Sequence, residues 1–264
     1  MRWTIAIGLL VILFIVVTAH SRVVWKPAPA MSFDSQLENP PNAQAIPDVQ
    51  VVELDIDVDD AILKSVKARG IRTICYFNAG SWESYRKDAD RFTKEVLGAN
   101  YSGYPDERWL DIRRIDALAP VMSARLERCA GRGFDAVEPD NINGYRNKSG
   151  FPLSADDELA YDRWLLREAH KRGLAIALKN TPELAAQLAP DGFDLAIFES
   201  CFKYRFCEQG AAPFTAAGKP VFDLEYRDEG MRPARFCPQA KKLGITALLK
   251  RSSSKLDSFR EACP

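Results

Sequence analysis

Eight short runs of β-branched, aromatic and leucine-type residues recur along the chain, at 32–37, 50–55, 72–77, 134–138, 174–179, 194–198, 220–225 and 245–249. Most are separated by stretches in which apolar positions return every three or four residues. Apolar runs of this length alternating with amphipathic segments predict parallel strands, each covered by a helix. Eight such units in series predict a single α/β domain of the (β/α)8 or TIM-barrel type, which commonly fills about 250 residues.

Three helical stretches end in a basic residue and a glycine just before the next strand, at Arg69-Gly70, Arg132-Gly133 and Arg172-Gly173. Glycine takes the left-handed conformation that closes a helix, and a cation there opposes the helix dipole. Two spans depart from the repeat. Pro40 and Pro41 interrupt the short connection between the first two runs, which predicts a crossover without a full helix. The span 78–117 is longer than a crossover needs and predicts an extended loop, with a short extra strand at 109–112. Long βα loops of a barrel lie on its active face, so this loop is expected to wall a cleft.

The start of the chain is patterned differently. Residues 5–17 are almost purely apolar, and Val17 and Ala19 supply the small residues that precede a signal-peptidase cut. The run is shorter than the ~20 residues that span a bilayer comfortably. Residues 1–19 therefore read as a signal peptide in preference to an uncleaved anchor, and residues 20–30, with Pro27 and Pro29, as a linker. Residues 31–264 are the expected folded domain. The expected location is secreted, periplasmic or extracellular, with membrane attachment only if the first segment stays uncleaved.

Composition narrows the chemistry. Lys plus Arg and Asp plus Glu both number 36, so no excess positive charge is available for a nucleic-acid partner. Export permits disulfides, and Cys201 with Cys207 and Cys237 with Cys263 are the expected pairs. Cys75 lies inside the third apolar run and Cys129 on a helical stretch, so both are expected to be small buried hydrophobes. The histidines, His20 and His170, are too few for a histidine-rich metal centre, and no cofactor is expected.

Acids collect where the runs end: Asp55 and Asp57, Glu138 and Asp140, Glu199, then Asp223 and Glu225. Parallel barrel strands bring these ends to one mouth. Asp140 follows a buried-strand pattern through Glu138-Pro139, where proline stiffens the backbone, and Glu199 directly precedes the cysteine loop. Two carboxyls facing one another across a cleft suit glycosidic cleavage. Acids at a mouth also bind Mg²⁺ or Ca²⁺, so a metal-dependent hydrolase or lyase is the competing reading. Trp82, Tyr85, Trp109, Tyr145 and Tyr204 fall in loops of the same face, where flat apolar rings stack on sugars. Lys179, beside Asn180, is placed to pair with Asp140 or to meet a sugar hydroxyl.

With these motifs the chain resembles the endo-α-1,4-polygalactosaminidase family of glycoside hydrolases, barrel proteins related to the α-galactosidases. The resemblance covers about residues 32–263. It rests on Ile74-Cys75-Tyr76-Phe77 with Gly80 and Trp82-Glu83, on 107–113 (ERWLDIR), and on Glu138-Pro139-Asp140-Asn141 with Gly144-Tyr145. Ala169-His170 with Arg172-Gly173-Leu174, Leu178-Lys179-Asn180, 198–207, and Lys219-Pro220-Val221 with Glu225-Tyr226 complete it. The chain departs from the family pattern at Asn143, Ser200 and Phe206 and near Asp34.

The resemblance implies an endo-acting hydrolase of α-1,4-linked galactosamine exopolysaccharide, as found in microbial biofilm, and a monomer is expected. By analogy with the α-galactosidase barrels it implies Asp140 as nucleophile and Glu199 as acid/base, with retention of configuration. Carboxyl groups about 5–5.5 Å apart would match retention, against ~6.5–9.5 Å for inversion. An amino sugar without its acetyl group is cationic, so Asp55, Asp111, Asp223 and Glu225 are expected to pair with ring ammoniums. Tyr76, Trp82, Glu138, Asn141, Tyr145, Lys179, Asn180 and Tyr204 complete the expected substrate-binding set. A barrel that binds the polymer with little turnover is the alternative outside catalysis.

Overall fold

The computed structural model describes residues 23–38 and 43–264. The signal peptide expected at 1–19 lies outside the described residues. Eight strands form where the apolar runs fall: β1 (Phe33–Gln36), β2 (Val51–Asp55), β3 (Arg72–Asn78), β4 (Ala136–Asp140), β5 (Ala175–Lys179), β6 (Leu195–Glu199), β7 (Val221–Tyr226) and β8 (Thr246–Lys250). They pair in parallel in chain order, and a ninth strand, β9 (Glu261–Ala262), runs antiparallel to β8. The result is a mixed α/β fold around a curled nine-stranded sheet.

Helices α1 (Asp60–Ala68), α2 (Ile115–Arg132), α3 (Ala155–Lys171), α4 (Ala185–Asp191), α5 (Cys201–Tyr204), α6 (Cys207–Ala216) and α7 (Pro233–Leu243) connect the strands. The first crossover holds only a 3-10 turn, Ala43–Ala45. α2 ends on Gly133 at φ 84, and Gly70 and Gly173, just past α1 and α3, are also left-handed. The long loop carries an antiparallel sheet of Ser81–Glu83, Glu107–Leu110 and Leu97–Asn100, with Glu107–Leu110 central. The extra strand thus sits two residues before its expected place.

Side chains alternate across the sheet, as the strand period requires. Val51, Ile74, Ala136, Ala175, Ala177, Leu195, Ile197, Phe222, Leu224 and Leu248 form one core inside the curl. Their neighbours Val52, Cys75, Val137, Ile176, Ala196, Val221 and Leu249 face outward into a larger core beneath the helices. Val24 and Trp25, in the segment read as a linker, pack against the inner core, and the Arg72 guanidinium lies 5.8 Å from the Trp25 ring centroid.

Among the described residues β1 and β9 are the edges of the sheet, and no backbone ladder joins β1 to β8 or β9. Side chains span the gap: Lys250 Nζ donates to Asp34 Oδ1 at 3.1 Å, both fully buried, and Arg260 Nε donates to the Phe33 carbonyl at 3.2 Å.

Cys201–Cys207 and Cys237–Cys263 are disulfides, as expected. Cys75 and Cys129 are buried but not separate: they form a third disulfide, their Cα atoms 6.1 Å apart. Cys75 points outward from β3 at the place where α2 turns Cys129 inward. Reading each within its own element hid a contact made only by packing.

Candidate active site

The alternation that buries Ala175 and Ala177 on β5 carries Lys179 onto the same inner face, one step nearer the mouth. It does likewise for Glu199 after Leu195 and Ile197, for Glu138 and Asp140 after Ala136, for Tyr76 after Ile74, and for Tyr226 after Leu224. Polar groups therefore fill only the upper layers of the interior.

Lys179 is the centre of the arrangement, with a side chain 4% exposed. Its Nζ lies 2.5 Å from Glu138 Oε1, 3.6 Å from Asp140 Oδ1 and 3.4 Å from Glu199 Oε2. Burial opposes the charge on this lysine, but Asp140, Glu138 and Glu199 outweigh it and hold the ammonium well above its ordinary pKa. Tyr76 donates to Asp140 Oδ2 at 3.0 Å, and the Asn141 backbone N–H donates to Oδ1 at 2.8 Å. Tyr226 donates to Glu199 Oε1. Burial, followed by the adjacent acid, pushes both phenols well above their usual value, so they stay protonated as donors.

The carboxyls are not equivalent. Burial, followed by the neighbouring Glu53, raises Glu138 well above the usual carboxylate range. Burial likewise pushes Asp140 up to about 6, against the pull of Lys179. Burial acts upward on Glu199 too, but Lys179 and the hydrogen bonds from Tyr226 and Asn180 hold it below its ordinary value.

Each of the three charged ends is followed by a residue in the left-handed region: Asn141 at φ 60, Asn180 at φ 54 and Ser200 at φ 54. For non-glycine residues this conformation costs on the order of 1 kcal/mol, least for Asn. It turns the chain off the sheet directly after the functional side chain. Asn141 Nδ2 donates to Asn78 Oδ1 at 2.5 Å and its Oδ1 accepts from Tyr101 at 2.9 Å, so the turn is tied to β3 and to the long loop. Gly80 passes so close that a Cβ there would stand 1.9 Å from the Asn141 carbonyl oxygen.

A cavity of about 450 Å³ opens above Asp140, Lys179 and Glu199. Tyr85, Tyr101, Tyr104, Arg86 and Glu107 of the long loop contribute walls. Tyr101 stacks on the buried Trp109 with ring centroids 4.5 Å apart.

Of the residues expected here, Asp55, Tyr76, Asp140, Asn141, Lys179 and Glu199 line the cavity. Glu138 lies beneath them, and Asn180 touches Glu199. Asp55 is already held by both Nη atoms of Arg86, at 2.7 and 2.8 Å. The others lie elsewhere. Asp111 is clamped by Arg113 through two bonds of 2.7 Å. Asp223 and Glu225 face outward from β7, where Asp223 accepts from Cys201 N at 3.2 Å and Glu225 from Phe202 N at 2.7 Å. Trp82 donates to the Ala89 carbonyl and Tyr145 to Glu183, while Tyr204 is exposed with Lys203 over its ring. Of the positions that depart from the family pattern, Ser200 donates to Glu229 at 2.6 Å, and Phe206 packs edge-on against Phe198.

A metal fits poorly at either acidic cluster. Cys201, Cys207 and Asp223 converge, but the two sulfurs are bonded to one another and offer no thiolate. Among Glu138, Asp140 and Glu199 the Lys179 ammonium fills the place a cation would take. No helix among the described residues is long and apolar enough to cross a membrane.

An uncharacterized protein of Deinococcus radiodurans is 26% identical over 211 residues, spanning 72% of this chain and 67% of that protein. Ega3 of Aspergillus fumigatus, solved in complex with galactosamine, superposes with a TM-score of 0.84 at 27% identity, covering 93% of this chain and all of the solved Ega3 chain. The glycoside hydrolase domain of PelA from Pseudomonas aeruginosa shares the fold, with a TM-score of 0.69 at 14% identity over 89% of this chain and 98% of that domain. Residues 16–264 match the profile of glycoside-hydrolase family GH114, and the chain belongs to that family of glycoside hydrolases.

Proposed function

We propose that the protein is an exported, endo-acting and retaining hydrolase of α-1,4-linked, galactosamine-containing exopolysaccharide. The observation that carries this reading is the tethering of Asp140 and Glu199 to one buried ammonium on the floor of a tyrosine-walled cleft. The galactosamine bound by Ega3, a relative matched along nearly the whole chain, supports the choice of sugar. Three disulfides suit an oxidising compartment. We further read the curled sheet as a complete (β/α)8 barrel, its last seam joined by Lys250 and Asp34.

In this reading Glu199 protonates the glycosidic oxygen while Asp140 attacks the anomeric carbon, and Glu199 then takes a proton from the water that releases the sugar. The oxygens that meet Lys179 lie no farther apart than contacts of 3.6 and 3.4 Å laid end to end. That limit falls short of most of the ~6.5–9.5 Å range of inverting pairs. Sugar filling the cleft strips water from Glu199, the more exposed side chain at 24% against 13%, and so raises its pKa toward that of an acid. A sugar ammonium acts oppositely on Asp140.

The resting order of protonation, Asp140 above Glu199, favours a second assignment with the two roles exchanged. Trapping the glycosyl-enzyme with a slow fluorinated substrate and sequencing the labelled peptide separates the two: label on Asp140 supports the first, label on Glu199 the second. The function itself is tested with partly deacetylated α-1,4-galactosaminan, reading products by mass. Asp140→Asn and Glu199→Gln should each abolish new reducing ends. Undiminished cleavage by both variants would overturn the proposal.

A further inference from the structure

Most carboxylates lining the cleft already have a cation. Asp55 is held by Arg86, and Asp140 and Glu199 share Lys179. Asp106 has no basic partner among the described residues, but it is exposed, where water screens its charge. Glu107 differs from all of these. It is 8% exposed, it accepts a hydrogen bond from Ser81 Oγ at 2.8 Å, and no Lys or Arg nitrogen among the described residues comes within ion-pairing distance. Burial, chiefly, pushes it up to about 7, with the Ser81 bond pulling the other way. The more distant Arg86 favours its charged form only weakly, and a buried carboxylate without an ion-pair partner gains most from a cation delivered to it.

Its setting suits one kind of cation. The Tyr101 N–H donates to the Glu107 carbonyl at 2.9 Å and the Glu107 N–H donates to the Tyr104 carbonyl at 3.1 Å, so the backbone ties the acid to two tyrosines that line the same cavity. Their rings meet edge to face at 5.6 Å. A carboxylate that shares a cavity with aromatic rings recognises an alkylammonium by charge and by cation–π attraction together. The site is also coupled to the chemistry: Ser81 Oγ stands 3.5 Å from Asn141 Nδ2, and the Asn141 N–H holds Asp140.

We propose that Glu107 is the specificity-determining residue that receives the free ammonium of an amino sugar in the cleft and so selects deacetylated over acetylated polymer. The inference rests on the proposed galactosaminidase activity. It moves the recognition of charge away from Asp111, Asp223 and Glu225, whose carboxylates are engaged outside the cleft.

The test is the ratio of kcat/KM for an α-1,4-galactosamine oligomer to that for its N-acetylated counterpart. Glu107→Gln should lower this ratio about tenfold, and Glu107→Asp should keep most of it. An unchanged ratio in Glu107→Gln would overturn the inference while leaving the hydrolase intact. If the unsubstituted enzyme cleaves only the acetylated oligomer, the inference is overturned and the reaction class stands; if it cleaves neither, both readings fall. Should Glu107→Gln not fold, Ser81→Ala retains the charge but removes the bond that lowers the Glu107 pKa. The rise of the ratio with pH should then move upward, and an unmoved profile would overturn the inference.

Discussion

Asn180 and Glu199 hold each other twice: Asn180 Nδ2 donates to Glu199 Oε2 at 3.3 Å, and the Glu199 backbone N–H donates to Asn180 Oδ1 at 2.9 Å. The first bond stabilises the Glu199 anion and the second fixes the strand end that carries it. Asn180→Ala should lower kcat roughly 10- to 100-fold and move the Glu199 limb of the pH–rate profile upward. Asn180→Gly retains the left-handed backbone at φ 54 and should lose as much. Recovery of activity in the glycine variant would assign the effect to backbone strain instead.

Asp140 affects stability with a definite sign. Its pKa rises from 3.8 for a free carboxyl to about 6 in the fold, so between those values the folded state binds a proton that the unfolded state releases. Stability contributed by that proton is present at low pH and lost as pH rises through about 6. Asp140→Asn should therefore be more stable than the parent at pH 8, by on the order of 2 kcal/mol. The difference should shrink toward zero below the free-carboxyl value of 3.8. Urea titrations at both ends of the range measure it, and an equal difference at both would refute the cause given.

Cys75 and Cys129 are 54 residues apart, and their bond ties β3 to α2. Closing a loop of that length restricts the unfolded chain by about 4 kcal/mol. Replacing both cysteines by alanine should cost a comparable amount in denaturant unfolding, less any relaxation at the site. A loss below about 1 kcal/mol would mean that the loop is already restricted in the unfolded chain.

Gly80→Ala should act on chemistry more than on the fold. The Gly80 and Ala79 N–H groups donate to the Asp140 carbonyl at 3.0 and 2.9 Å, and an added methyl would press on Asn141. A shift of about 1 Å in a catalytic carboxyl costs on the order of 100-fold in rate. Circular dichroism should stay unchanged while kcat falls, and full activity would show that the loop yields easily.

The eight strands were legible because burial on both faces demands unbroken apolar runs. Parity within those runs decides where Asp223 and Glu225 point. Phe222, Leu224 and Tyr226 alternate inward, which sends Asp223 and Glu225 outward, and the sequence holds that information. Lys179 was readable as a partner of Asp140, but its contacts with Glu138 and Glu199 depend on the curvature of the sheet. The loop 78–117 does wall the cleft as expected, but which of its residues do so, Tyr101, Tyr104 and Glu107 among them, was not legible. They stand on a loop sheet whose register, Ser81 opposite Trp109 and Glu83 opposite Glu107, is set by pairing across more than twenty residues. The Cys75–Cys129 bond was hidden for the same reason, since only the seating of α2 on β3 brings its sulfurs together.

The seam between β1 and β8 bears on how the molecule comes apart. Interior strands are bonded along both edges, whereas β1 is bonded along one, and across the other a buried lysine grips a buried aspartate. Local opening starts where the fewest bonds must break together. Amide protons of 33–36 should therefore exchange with deuterium sooner than those of β4 to β6, and Lys250→Met should widen that gap. Asp140 and Glu199, on strands far from the seam, would stay assembled while the sheet unzips at its first stave.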